Sequence, residues 1–183
     1  MTKFEIISTS LTVFNNIVIV FGIFIARNQL KLARDDLKSL NKIHSDNHRW
    51  NRALAAQEAL RAFPYSDSQR RLQRTFNFQN SSSVIELKTI QQALESEVDL
   101  QSDLHDLLNF YESLARGIHQ GVFDEDVIKS ARMGAMIRAE RAFKNYIIDR
   151  RSKTSPRAWC ELSEIVGDWE RQIANIVKKS PIG

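Results

Sequence analysis

The chain has 183 residues, with only six glycines, three prolines and a single cysteine. So few turn formers argue against a β-sandwich, and Cys160 alone excludes an internal disulfide and fits a reducing compartment. The net charge of +4 is modest but segregated, with +6 in residues 27–85, −8 in 86–126, +7 in 127–157 and −1 in the tail. Blocks of opposite sign attract one another when helices pack side by side, so an all-α body held partly by charge is expected.

The first element is an apolar run. From Ile6 to Ala26 there are 21 residues without a charge, close to the roughly 20 that cross a bilayer as a helix. Residues 1–26 are therefore expected to be a transmembrane anchor. Phe24 and Ala26 make a poor small-x-small cleavage site, which favours an anchor over a removable signal. Lys3 is offset by Glu5 before the run, whereas Arg27, Lys31 and Arg34 follow it. The positive-inside rule then places the N-terminus outside and the body in the cytoplasm, at the inner membrane of a bacterium. The same three cations are the expected contacts with anionic headgroups, so membrane lipids are the first expected partner. Asn15 and Asn16 fall near mid-span, where buried amides seek one another across helices, and they are the candidate self-association residues.

A long juxtamembrane helix or stalk is expected over 27–63, uninterrupted until Pro64. Leu30, Ala33, Leu37 and Leu40 follow a 3-4-3 spacing, and Ile43, Asn47, Trp50 and Leu54 continue it after a skip. That pattern suits either a coiled-coil seam or the first helix of a bundle. The bundle itself is assigned to 64–183. A short basic helix is expected over Gln69 to Phe78. Ser83-x-x-Glu86 has the form of a capping box opening a helix to Glu95. Leu104, Leu107, Leu108, Tyr111, Leu114, Ala115 and Ile118 recur at helical spacing from a start at Ser102 or Asp103. Gly117 and Gly121 punctuate the end of that helix, and Asp124 caps a long one to Arg151. Ser155-Pro156 marks the last start, with Trp159, Leu162, Val166, Trp169, Ile173 and Ile176 as its apolar face. The short link at 121–124 makes its two flanking helices antiparallel neighbours. Reflection about that link sets Glu112 near Arg132 and Asn109 near Gly134, a structural polar pairing of the acidic and second basic blocks. Gly134 is expected to let the two helices approach closely.

The segment from Leu107 to Arg151, with PRAWCELSEIVGDWE after it, resembles a bacterial family defined only by a domain of unknown function. The resemblance covers about residues 104–170. It is carried by Asn109, Phe110, Tyr111 and Glu112, then Gly121, Asp124 and Glu125, then Pro156 and Arg157. It implies short helical proteins, membrane-anchored or cytosolic, and it implies no activity or substrate.

Candidate chemistry is sparse. His44 and His48 stand at i and i+4 around Asp46, a spacing that can present two ligands, but no third ligand, HExxH or paired cysteine accompanies them. Solvated histidines are the expectation, and no metal is expected. His105 and His119 read as separate polar residues, and Cys160 beside Trp159 reads as a core cysteine. With no phosphate loop, nucleophile elbow or paired-cysteine motif, neither a catalytic residue nor a cofactor is expected. Arg70, Arg71 and Arg74 with Phe76 and Phe78 form one basic patch, and Arg150, Arg151, Lys153 and Arg157 a second. Such patches hold phosphates or stack bases, yet tethering favours lipid headgroups, so nucleic acid is not an expected partner. The expected function is a membrane-tethered, non-enzymatic helical scaffold, sensor or interaction module, as a homo-oligomer or with a protein partner. The alternative is a membrane effector of a bacterial defence or stress system whose transmembrane helices self-associate.

Overall fold

The computed structural model describes residues 3–62, 67–80 and 83–179, with side chains described at 22 and from 24 onward within those ranges. These residues form seven α-helices: α1 (Lys3–Arg61), α2 (Asp67–Phe76), α3 (Leu87–Ser96), α4 (Val98–His119), α5 (Glu125–Ala142), α6 (Lys144–Lys153) and α7 (Cys160–Lys179). The chain divides into two compact units, Met1–His48 and Arg49–Gly183.

The first unit is the N-terminal part of α1, and its described side chains are all exposed. Among the described residues no helix is long and apolar enough to cross a membrane. Most side chains of the expected anchor, Asn15 and Asn16 included, lie outside the described residues.

The second unit, Arg49–Gly183, is a helical bundle. The last turns of α1 belong to it, with Ala56 fully buried and Ala59 and Leu60 packed against the core. Its centre is α4. Leu100, Leu104, Leu107, Leu108, Tyr111, Leu114 and Ala115 are all buried, more than one face of a helix can serve, because α2, α3, α5 and α7 all pack on it. Opposite charge joins α4 to α2 as well. Asp103, nearly buried, takes Nε and Nη2 of Arg71 at 2.6 and 2.9 Å. The acidic block thus reaches back to the first basic block at this point, and this guanidinium holds the Asp103 carboxyl below its ordinary value.

Local chemistry explains most helix ends. At the end of α4, Gly121 has φ +68°. Its N–H reaches the Ile118 carbonyl and the Val122 N–H reaches that of Gly117, both at 2.9 Å, which is a Schellman termination. Asp124 then caps α5 through the Val127 N–H at 3.3 Å. Beyond shifts of one or two residues, four boundaries differ from expectation, the first being the start of α4, at Val98 rather than at Ser102 or Asp103. The helix expected to open at Val84 begins at Leu87, with Glu86 making no side-chain cap. The reason is tertiary: Ile85 gives its N–H to the Ala142 carbonyl and its carbonyl takes the Asn145 amide, both at 3.0 Å. The same bond breaks the helix expected to run from Asp124 to Arg151, because the Ala142 carbonyl turns to Ile85 and Phe143 becomes the joint between α5 and α6. The last helix begins at Cys160, beyond a turn over 156–159, rather than at Pro156.

Two further readings change. Gly134 is exposed, and a Cβ there would meet only the Arg138 guanidinium, at 3.2 Å, so it serves no close helix approach. At Gly117 the missing side chain serves the loop instead, since the Phe123 ring of the α4–α5 turn occupies its place.

Candidate functional site

Of the residues that carried the family resemblance, Asn109 and Glu112 lie where α4, α6 and α7 meet, while Gly121, Asp124 and Glu125 lie at the turn into α5 and Pro156 and Arg157 in the turn before α7. Trp159 is the hinge of this junction. It has φ +53°, a left-handed conformation that costs an L-residue about 1–2 kcal/mol. Three contacts hold it there. Its indole is buried and donates Nε1–H to Asn109 Oδ1 on α4 at 2.9 Å. Its carbonyl accepts Nη2 of Arg151 at 2.8 Å, while Nε of the same guanidinium reaches the Ala158 carbonyl at 2.7 Å. Arg151 also donates to Ser163 Oγ at 2.9 Å, closing a clasp from α6 over the first turn of α7.

One turn along α4, Glu112 completes the junction. The first N–H groups of a helix have no intrahelical acceptor, and those of Leu162 and Glu161 reach the buried Glu112 carboxylate at 2.8 and 3.4 Å. Glu112 is therefore a helix cap supplied by a neighbouring helix, its charge favoured by the positive end of α7 and by Arg116 at 3.5 Å. Asn109 thus meets Trp159 and Glu112 the first turn of α7. Arg132 lies part-buried on α5, and burial lowers its pKa.

Beside the junction runs a short relay. Tyr146 Oη lies 2.8 Å from His105 Nε2 and accepts Nε of Arg150 at 3.0 Å. Arg150 Nη2 also lies 3.5 Å from His105 Nε2, so the three groups form one polar cluster. Burial, with the Arg150 charge behind it, pushes His105 below its ordinary pKa, so the neutral form is favoured. Arg150 also lies over the Tyr146 ring, 5.3 Å from its centre. The relay opens onto a groove of about 280 Å³ bordered by Gln91, Glu95, Gln101, Asp149, Arg150 and Lys153. Its mixed charges suit a polar contact surface.

The sequence-derived patches fare differently. Phe76 and Phe78 are buried against Phe143, ring centres 5.3 Å apart in both pairs, and are committed to the core rather than to stacking. Arg71 is engaged by Asp103, while Arg70 and Arg74 border a hollow with Gln69, Gln73 and Gln79. In the second patch Arg151 is the clasp, and Lys153 pairs with Asp149 at 2.7 Å. Cys160 is part-exposed, its Sγ 3.6 Å from the Pro156 carbonyl. His44 and His48 approach Nε2 to Nε2 at 3.0 Å on an exposed face. Reading the sequence missed Tyr146, Asn145 and the role of Arg151. A basic pair before a Ser-Pro turn is the nearest thing to a signal for the last of these.

The fold and junction define an all-α bundle in which α4 caps α7. The chain belongs to the family described as Domain of unknown function (DUF4760), whose model matches residues 16–169. The match takes in the whole junction and reaches back into α1. No curated protein and no solved structure matches the chain.

Proposed function

We propose that this protein is a membrane-tethered, non-enzymatic helical module that assembles through α1, most simply with a second copy of itself. The observation that carries the reading is an exposed apolar row. Leu30, Leu37, Leu40 and Ile43 are 68%, 60%, 60% and 55% exposed. Large aliphatic side chains repeated at helical spacing in water favour a partner that covers them.

A second feature of the same helix supports the tether. Arg27, Lys31, Arg34 and Lys38 recur at i+4, i+3 and i+4 and share one hollow with Leu30 and Asp35. At 3.6 residues per turn they fall in a strip about 60° wide. Such a strip, beginning just after the uncharged run 6–26, suits anionic headgroups, each nearby cation contributing roughly 1 kcal/mol.

Cysteine crosslinking tests the assembly. In a Cys160→Ser background, Leu37→Cys is expected to form a disulfide dimer in membranes under mild oxidation, while Asp35→Cys on the far side of the helix does not. Equal crosslinking at both positions, or none at 37, would overturn the seam. Recovery of the unaltered full chain in the soluble fraction after cell lysis would overturn the tether.

A further inference from the structure

The C-terminal turn of α4 and the first turns of α7 bring three donors to one point: His119, Glu161 and Glu164, with one ligand atom of each within 4.8 Å of the others. His119 Nδ1 is in contact with Glu161 Oε2. We propose that this triad is a binding site for a divalent first-row transition cation of the zinc or manganese type. Metal ligands at about 2.0–2.2 Å from a common ion lie roughly 3–4 Å from one another, so the donors need only a small side-chain adjustment.

Two arguments favour a cation over a simple surface pair. Glu161 and Glu164 are carboxylates converging on one imidazole, and a divalent ion among the three donors neutralises both. The backbone that carries the donors is also unusually constrained. Gly121 fixes the end of α4, while Glu112, Arg151 and the left-handed Trp159 fix the start of α7. Donors held on preset backbone lose little freedom when an ion arrives.

The donor set selects the class of ion. An imidazole nitrogen with two carboxylate oxygens suits zinc, manganese or iron(II), whereas calcium and magnesium favour oxygen alone. Three protein ligands leave at least one coordination position open, and His119 and Glu164 are exposed, so that position faces solvent.

The test uses zinc and manganese chlorides with the purified full-length chain, by calorimetric titration and equilibrium dialysis. His44 and His48 are a second source of imidazole, so His44→Ala/His48→Ala serves as the background. One equivalent of zinc is expected to bind in that background. Glu164→Gln is expected to weaken binding by roughly tenfold or more and His119→Ala to abolish it, with thermal melting in a chelator unchanged for Glu164→Gln. Cobalt(II) substitution supplies a readout independent of stability, since an ion that leaves water for a site of lower coordination number gains visible d–d intensity, and His119→Ala is expected to remove that gain. No bound zinc in the background, or affinity unaltered by both Glu164→Gln and His119→Ala, would overturn the site and leave the triad as an interhelical ion pair.

Discussion

Two glycines in neighbouring helices show why residue type alone does not set an energy. Replacing a mid-helix glycine with alanine ordinarily stabilises by up to about 1 kcal/mol, because the unfolded chain loses freedom. At Gly134 only the flexible end of Arg138 is near, so Gly134→Ala is expected to raise the unfolding free energy from urea titration by that amount. At Gly117 the Phe123 ring stands where the methyl group would go, so Gly117→Ala is expected to lower it, by about 1–3 kcal/mol of overpacking. Combining it with Phe123→Ala should make the two substitutions non-additive. A second residue-scale expectation concerns Tyr111, whose burial pushes its phenol up to about 12. A raised value means that its contribution to stability is complete below the ordinary 10 and is lost as pH rises toward 12. In an alkaline absorbance titration, one of the three tyrosines should ionise late, and Tyr111→Phe should remove that phase.

At the scale of elements, the junction makes the sharpest claim. Glu112→Ala leaves the buried Leu162 N–H without an acceptor, so a loss of about 2–4 kcal/mol is expected in chemical denaturation, against roughly half that for Glu112→Gln, which keeps one oxygen. Asn109→Ala should cost about 1 kcal/mol through the Trp159 indole. Much of this element layout was legible in the chain. The Gly121 stop and the Asp124 cap are local chemistry, and the apolar spacing of α4 and of Trp159, Leu162, Val166 and Trp169 is the buried face. The joint at Phe143 was not legible. Nothing between Ala139 and Ile147 breaks a helix, and the bond responsible comes from Ile85, distant in sequence. The junction was half legible. Asn109, Glu112 and Pro156 were marked by resemblance, but a carboxylate on one helix capping another leaves no periodic signature. Ile173 and Ile176 continue the α7 face yet remain exposed, because the bundle ends before that helix does.

For the molecule as a whole, charge segregation has a measurable consequence in acid. Asp103 and Glu125 both have lowered pKa values, the first chiefly through the Arg71 hydrogen bond and the second chiefly through the Trp169 indole N–H. Depressed carboxyl values mean that their stabilisation is complete above their ordinary values, 3.8 and 4.5, and is lost as pH falls through the lower folded-state values. Thermal melting should therefore decline below about pH 4. Asp103→Asn should lower the melting temperature at neutral pH and flatten that decline, and a variant with an unchanged acid limb would refute the assignment.

The reliance of α7 on α4 also bears on the order in which the bundle forms. A helix whose first amides find their acceptor on another helix cannot finish its own first turn in isolation. Hydrogen exchange at the Glu161 and Leu162 amides accordingly reports docking of α4 rather than coiling of α7. Their protection should disappear in Glu112→Ala while the middle of α7, around Trp169, stays protected. In a pulse-labelled refolding experiment those two amides should be among the last of α7 to close. The segment 160–163 is then a built-in gauge of whether the two helices are together.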